Sequence, residues 1–171
     1  MSATHEAKAR PGPVERVLTK LFPKGVDPKH IPGSGLGLKP ADYAAMVANI
    51  RHQDRWLART AAALWDAKFL GSARAQSELA SMLDLWGCQR YPMRHRTIEI
   101  SGQTHGDLAV LAVTEYCSDQ EITNASAKAA LRIGYDRWRR IRPIFDDLMN
   151  RLAEAEGLLA EHLRGELRSA S

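Results

Sequence analysis

Residues 132–143 read RIGYDRWRRIRP, with five arginines in twelve positions and Asp136 as the only acid among them. A guanidinium is a planar fork that fits a carboxylate, a phosphate or the O6/N7 edge of guanine, and a tyrosine hydroxyl can donate to phosphate. The interleaved apolar residues decide which of these side chains are free to do so. Trp138, Ile141, Phe145, Leu148 and Leu152 recur at steps of three and four, the spacing of one buried helical face. Arg137, Arg139 and Arg140 then project from the other faces, with Arg132 and Tyr135 in the turn before them. Lys128, ahead of that turn, joins this candidate polyanion-binding set. A second basic group, RYPMRHR, adds Arg94 and Arg96 as candidates for phosphate contact, beside Arg90 and His95. The opposing interpretation is structural: a helix whose arginines pair with acids elsewhere, for example on the acidic final helix, and a solvated basic loop.

Other chemistry finds less support in the spacing. His95, His105, Cys88 and Cys117 can be combined on paper into a nucleophile and base, but no elbow motif joins them. His52 and Asp54 are two apart, so on a helix they do not share a face. Two cysteines without a CxxC support neither a disulfide framework nor a zinc ribbon, and each is expected as a small buried apolar residue. GSGLG (33–37) has no preceding strand and no following GK[ST], so it is a loop and not a phosphate cradle. The expectation is a protein that is not an enzyme and needs no cofactor, metal or small-molecule substrate.

The elements that must position the arginines follow from apolar periodicity. Residues 1–12 form a polar arm, VERVLTKLF (14–22) has helical spacing, and a Pro/Gly-rich linker follows to about residue 39. Pro40 opens an alanine-rich stretch that forms one long helix, or two broken near His52–Asp54. Gly71 closes it, and Ser72 caps a helix running to Gly87. Segment 88–106 is the least helical, and RTIEIS alternates in the manner of a strand. LAVLAVTEYC (108–117) is a compact apolar helix. Ser118-Asp-Gln-Glu121 has the form of a capping box opening a helix to Leu131, which Gly134 breaks. Pro143 sits in the first turn of a separate long final helix. The chain is thus expected to be all-α: a multi-helix body at 40–171, with a helix-turn-helix unit at about 118–142 and an irregular or hairpin segment near 90–104. Ile133 and Trp138 are five apart, the separation such units use for one apolar residue in the turn and another on the inner face of the second helix.

Charge adds an asymmetry. The chain carries net +4 overall; residues 1–40 hold seven basic and three acidic side chains, whereas 143–171 hold three basic and six acidic. One basic and one acidic region suit nucleic-acid contact through one surface and protein contact through another. No apolar run approaches the roughly 20 residues of a membrane span, and the first residues lack a signal-peptide core, so a cytoplasmic protein is expected.

Three segments, in order, carry a resemblance to a known family. LDLWGCQRY contributes Leu83, Trp86 and Gly87, LAVLAVTEYCSDQEI contributes Tyr116, and RLAEAEGLLAEHL contributes Arg151, Leu152, Ala155, Glu156 and Gly157. In this order they resemble the Q-type transcription antitermination proteins of lambdoid phages and their AlpA-like bacterial relatives, over roughly residues 80–163. The resemblance implies a factor that binds double-stranded DNA near a promoter and loads onto a paused bacterial RNA polymerase, with or without its sigma factor. It would then remain at the RNA exit channel and keep terminator hairpins from forming, and it would be nucleoid-associated when bound. Two departures stand out. Pro143 and IFDDLMN separate the arginines from the closing Arg-Leu, and the zinc-binding cysteines of some members have no counterpart. The first means either an inserted turn after the reading helix, the preferred reading since Asp146 and Asp147 are poor neighbours for DNA, or a reading helix that lies after Pro143. A helix-turn-helix regulator of initiation and a helical protein-interaction module are the alternatives.

Overall fold

The computed structural model describes residues 12–14, 16, 40–91, 102–118 and 121–169. Among these the fold is all-α. Its helices are α1 (Pro40–Ala48), α2 (Arg55–Leu64), α3 (Ala73–Arg90), α4 (Gly102–Cys117), α5 (Asn124–Leu131) and α6 (Tyr135–Ser169). A π-helical turn, Trp65–Phe69, extends α2. The expected break near His52–Asp54 is present: Asp54 caps α2, its Oδ1 accepting from the Leu57 amide at 3.0 Å. Gly71 takes φ +66, which glycine adopts without strain, and Ser72 Oγ accepts from the Ala75 amide to start α3.

The long helix α6 forms the spine of the core. Trp138, Ile141, Phe145, Leu148 and Leu152 are all buried, as their spacing predicts, and Ile144, Ala155, Leu159 and Leu163 continue the face. Helix α2 packs along α6, and α3 along α4. Val14 is buried in the same core, so the N-terminal element reaches the body. Tyr43 stacks on Trp65, which lies against Phe69.

Charged groups are also drawn inside, in pairs. Glu156 is 1% exposed, accepting from Lys68 Nζ at 2.9 Å and from the Tyr116 hydroxyl at 2.7 Å. Burial, with the Glu156 carboxylate beside it, pushes the Tyr116 hydroxyl well above the usual phenol range. Arg151 is buried over the Trp86 ring and reaches Asp54 Oδ2 at 2.6 Å and Glu154 at 3.2 Å.

Several expectations are corrected. Ser118 does not cap α5: its Oγ donates back to the Glu115 carbonyl at the end of α4, and Thr123 is the cap, its Oγ1 accepting from the Ser126 amide. The later start is tied to packing, because Asn124 Oδ1 then accepts from Trp138 Nε1 at 3.0 Å. Pro143 does not open a separate helix; α6 is continuous through it. An interior proline forfeits one backbone bond and costs about 3 kcal/mol. Burying Ile141, Ile144, Phe145 and Leu148 on one uninterrupted face returns roughly 1.5–3 kcal/mol for each side chain, so continuity wins. Helix reaches further into the stretch 88–106 than expected, since α3 runs to Arg90 and α4 begins at Gly102, with His105, Leu108 and Ala109 buried. The strand-like RTIEIS, with Arg94, His95 and Arg96, lies outside the described residues, as does most of the linker.

Candidate nucleic-acid interface

The turn between α5 and α6 is only three residues long, Arg132 to Gly134. Arg132, not Gly134, makes the reversal: it takes φ 54 and ψ 43, the left-handed conformation. Its amide donates to the Ala129 carbonyl at 3.2 Å, and the Ile133 amide donates to the Lys128 carbonyl at 3.1 Å. These are the paired bonds of a Schellman termination, with half-buried Ile133 turned onto the core. Glycine is the usual occupant of this position, because a Cβ there costs roughly 1–2 kcal/mol. Among the described residues Arg132 is the sole non-glycine with positive φ.

The turn presents the candidate side chains together. Arg132, Tyr135, Arg137, Arg139 and Arg140 are all exposed, Tyr135 to 63%, and Lys128 is half-buried with Nζ 5.3 Å above the Tyr135 ring. Arg139 and Arg140 straddle the face of α6 opposite buried Trp138 and Ile141. No described carboxylate lies within ion-pair distance of Arg132, Arg137, Arg139 or Arg140. The structural interpretation does hold for their neighbours. Arg142 donates to Asn124 Oδ1 and lies 3.9 Å from Asp146, and Arg90 pairs with Asp147, which also accepts from the Tyr91 hydroxyl. The result is a basic surface on the turn and first turns of α6, with Asp136 the one acid within it. Beside it an open groove of about 510 Å³ runs between the turn and the start of α4, lined by Thr104, Asp107, Arg132, Ile133 and Arg137 among others.

A second cluster lies outside this surface, where no sequence spacing assembles it. Asp84 and Cys88, i and i+4 on α3, meet His105 from the first turns of α4. The i,i+4 pair is legible as one helical face, but the third member comes from another helix. His52 lies apart, its Nδ1 accepting from the Asp54 amide at 3.0 Å. Burial pushes the Cys117 thiol up to about 11, so it is held protonated near neutral pH.

Comparisons with protein families, with curated proteins and with solved structures find no match to this chain. Four of the residues that carry the resemblance to antitermination proteins meet in two pairs. Arg151 of the closing segment lies over Trp86 of the first, and Glu156 accepts from Tyr116 of the second. These two contacts join different helices within the body and lie apart from the basic surface.

Proposed function

We propose that the chain is a DNA-binding transcription factor of the antitermination kind, with α5, the turn and the first turns of α6 acting as a helix-turn-helix unit. The observation that carries this reading is the arginine at the left-handed turn position, where glycine would be easier, within a set of arginines that have no described carboxylate partner. Strain retained at one residue is a pointer to a use for its side chain. In this reading α6 enters the major groove by its N-terminal turns. Arg137 and Arg140 meet base edges there, while Lys128, Arg132, Tyr135 and Arg139 hold phosphates. Each neutralised phosphate makes the log–log salt slope more negative by about 0.9. The fusion of the reading helix with the core spine suits a factor that must hold DNA and a second macromolecule in one fixed relation. Bacterial RNA polymerase is the partner that the resemblance implies.

Gel retention on DNA from the region the protein controls tests the first half. Arg137→Ala with Arg140→Ala should lose retention while keeping wild-type helical content; a double variant that shifts DNA as wild type does would move the reading helix elsewhere. Transcription in vitro on a template with a promoter-proximal site and a downstream terminator tests the second. Site-dependent read-through supports antitermination, whereas altered initiation with unchanged termination identifies a regulator of initiation.

A further inference from the structure

Residues Asp84, Cys88 and His105 bring three donors of different chemistry to one point between α3 and α4. His105 Nδ1 lies 3.3 Å from Asp84 Oδ1, and Cys88 Sγ lies 3.7 Å from the same oxygen. All three donor atoms fall within 4.8 Å of one another. A tetrahedral zinc centre has Zn–N and Zn–O bonds of about 2.0–2.2 Å and a Zn–S bond of about 2.3 Å, which separates N from O by about 3.4 Å and S from O by about 3.6 Å. The two measured edges therefore match such a centre.

Two further observations single out the imidazole. His105 is 1% exposed, yet neither ring nitrogen has a hydrogen-bond partner, and its approach to Asp84 lacks hydrogen-bond geometry. A buried polar group left in that state is destabilising, so a ligand for it is expected. The ring is also seated in a backbone notch: a Cβ on Gly87 would fall 2.3 Å from His105 Cε1. Glycine at 87 is what lets the imidazole lie against α3 with its nitrogens beside Asp84 and Cys88. Asp84 is 34% exposed, which leaves one side open for a water as fourth ligand.

We propose that Asp84, Cys88 and His105 form a binding site for a zinc-class divalent ion that clamps α3 to the start of α4. Thiolate and imidazole donors select zinc or a similar transition metal over magnesium and calcium. On binding, Cys88 gives its thiol proton to solvent and His105 coordinates as the neutral imidazole, so one proton is released from the thiol per ion bound. The clamp acts at the root of α4, the helix that packs against α5, and its existence does not depend on whether the basic surface meets DNA.

The test uses the reduced full-length chain stripped with a chelator. Zinc titration against a chromophoric competitor should show one equivalent bound per chain. Cobalt(II) in its place should give thiolate-to-metal charge-transfer absorption with the intense visible bands of four-coordination. Cys88→Ser should abolish the charge-transfer band, and should weaken zinc binding by at least the roughly 10–100-fold that loss of a supporting residue costs a metal site. Gly87→Ala, which removes no ligand but displaces the ring, should also weaken binding, and Cys117→Ser should match wild type. Circular dichroism confirms that each variant is folded. A stripped wild-type chain that takes up no zinc, or a Cys88→Ser chain that keeps wild-type affinity, would overturn the proposal and leave an ordinary His–Asp contact.

Discussion

Replacing Arg132 by glycine separates two roles that this residue combines. The left-handed backbone at φ 54 costs an L-residue roughly 1–2 kcal/mol, and glycine removes that cost. Glycine also loosens the unfolded chain, which takes back about 0.5–1 kcal/mol. The balance is a stabilisation of about 0.7 kcal/mol, or roughly 1.5–3 °C in Tm for a chain of this size. The same substitution removes one cation from the basic surface. If Arg132 holds a phosphate, the log–log salt slope of DNA binding becomes less negative by about 0.9. The defect at 50 mM salt should then exceed that at 200 mM by about 3.5-fold. Arg132→Ala is the control, because it loses the same cation but keeps the strain. Stability should therefore be higher for the glycine variant than for wild type and the alanine variant, which should be close to each other, while both variants share one DNA-binding defect. Thermal melts and fluorescence anisotropy across a salt series measure the two quantities. A glycine variant less stable than wild type would refute the strain assignment, and an unchanged salt slope would remove Arg132 from the interface.

Two further predictions concern the body. The Asp54 carboxyl is held below the usual carboxylate range chiefly by its hydrogen bond from Arg151, so its contribution is present above about pH 4 and is lost as pH falls through its folded value. Asp54→Asn, which keeps a capping side chain, should cost under about 1 kcal/mol near neutrality and nothing at strongly acid pH; urea midpoints that differ equally at both pH values would contradict this. Glu156→Ala should destabilise by roughly 3–5 kcal/mol, because Lys68 and the Tyr116 hydroxyl lose their shared acceptor. Lys68→Met combined with Glu156→Leu should recover much of that in denaturant unfolding, and a single variant costing under about 1 kcal/mol would show that the pair contributes little.

Local signals were readable in the sequence where one residue had one use. Gly71 and Ser72 end one helix and begin the next as their types require, and the apolar face from Trp138 to Leu152 is buried throughout. The sequence misled where two residues competed for one role. Ser118 and Thr123 can each cap a helix, and the choice fell to Thr123 through a contact 14 residues away, between Asn124 and Trp138. Gly134 and Arg132 can each make the turn, and the Schellman bonds fix the reversal at the arginine. Pro143 opposes the helix locally but is outweighed by the side chains buried on either side of it. The basic surface was legible because its residues are neighbours in the chain. The Asp84–Cys88–His105 cluster was not, because only the packing of α3 on α4 brings its third member in.

At 35 residues and about 1.5 Å per residue, α6 is a rod of about 50 Å with its arginine cluster at the N-terminal end. If its N-terminal turns are fixed in a groove, the rest of the molecule has no hinge there with which to choose its own direction. A tilt of about 10° at the groove sweeps the far end through about 9 Å. Base sequence, by setting how the first turns seat, would thus steer where the far end points. Two sites of equal affinity but different seating angle would aim the same protein at different places.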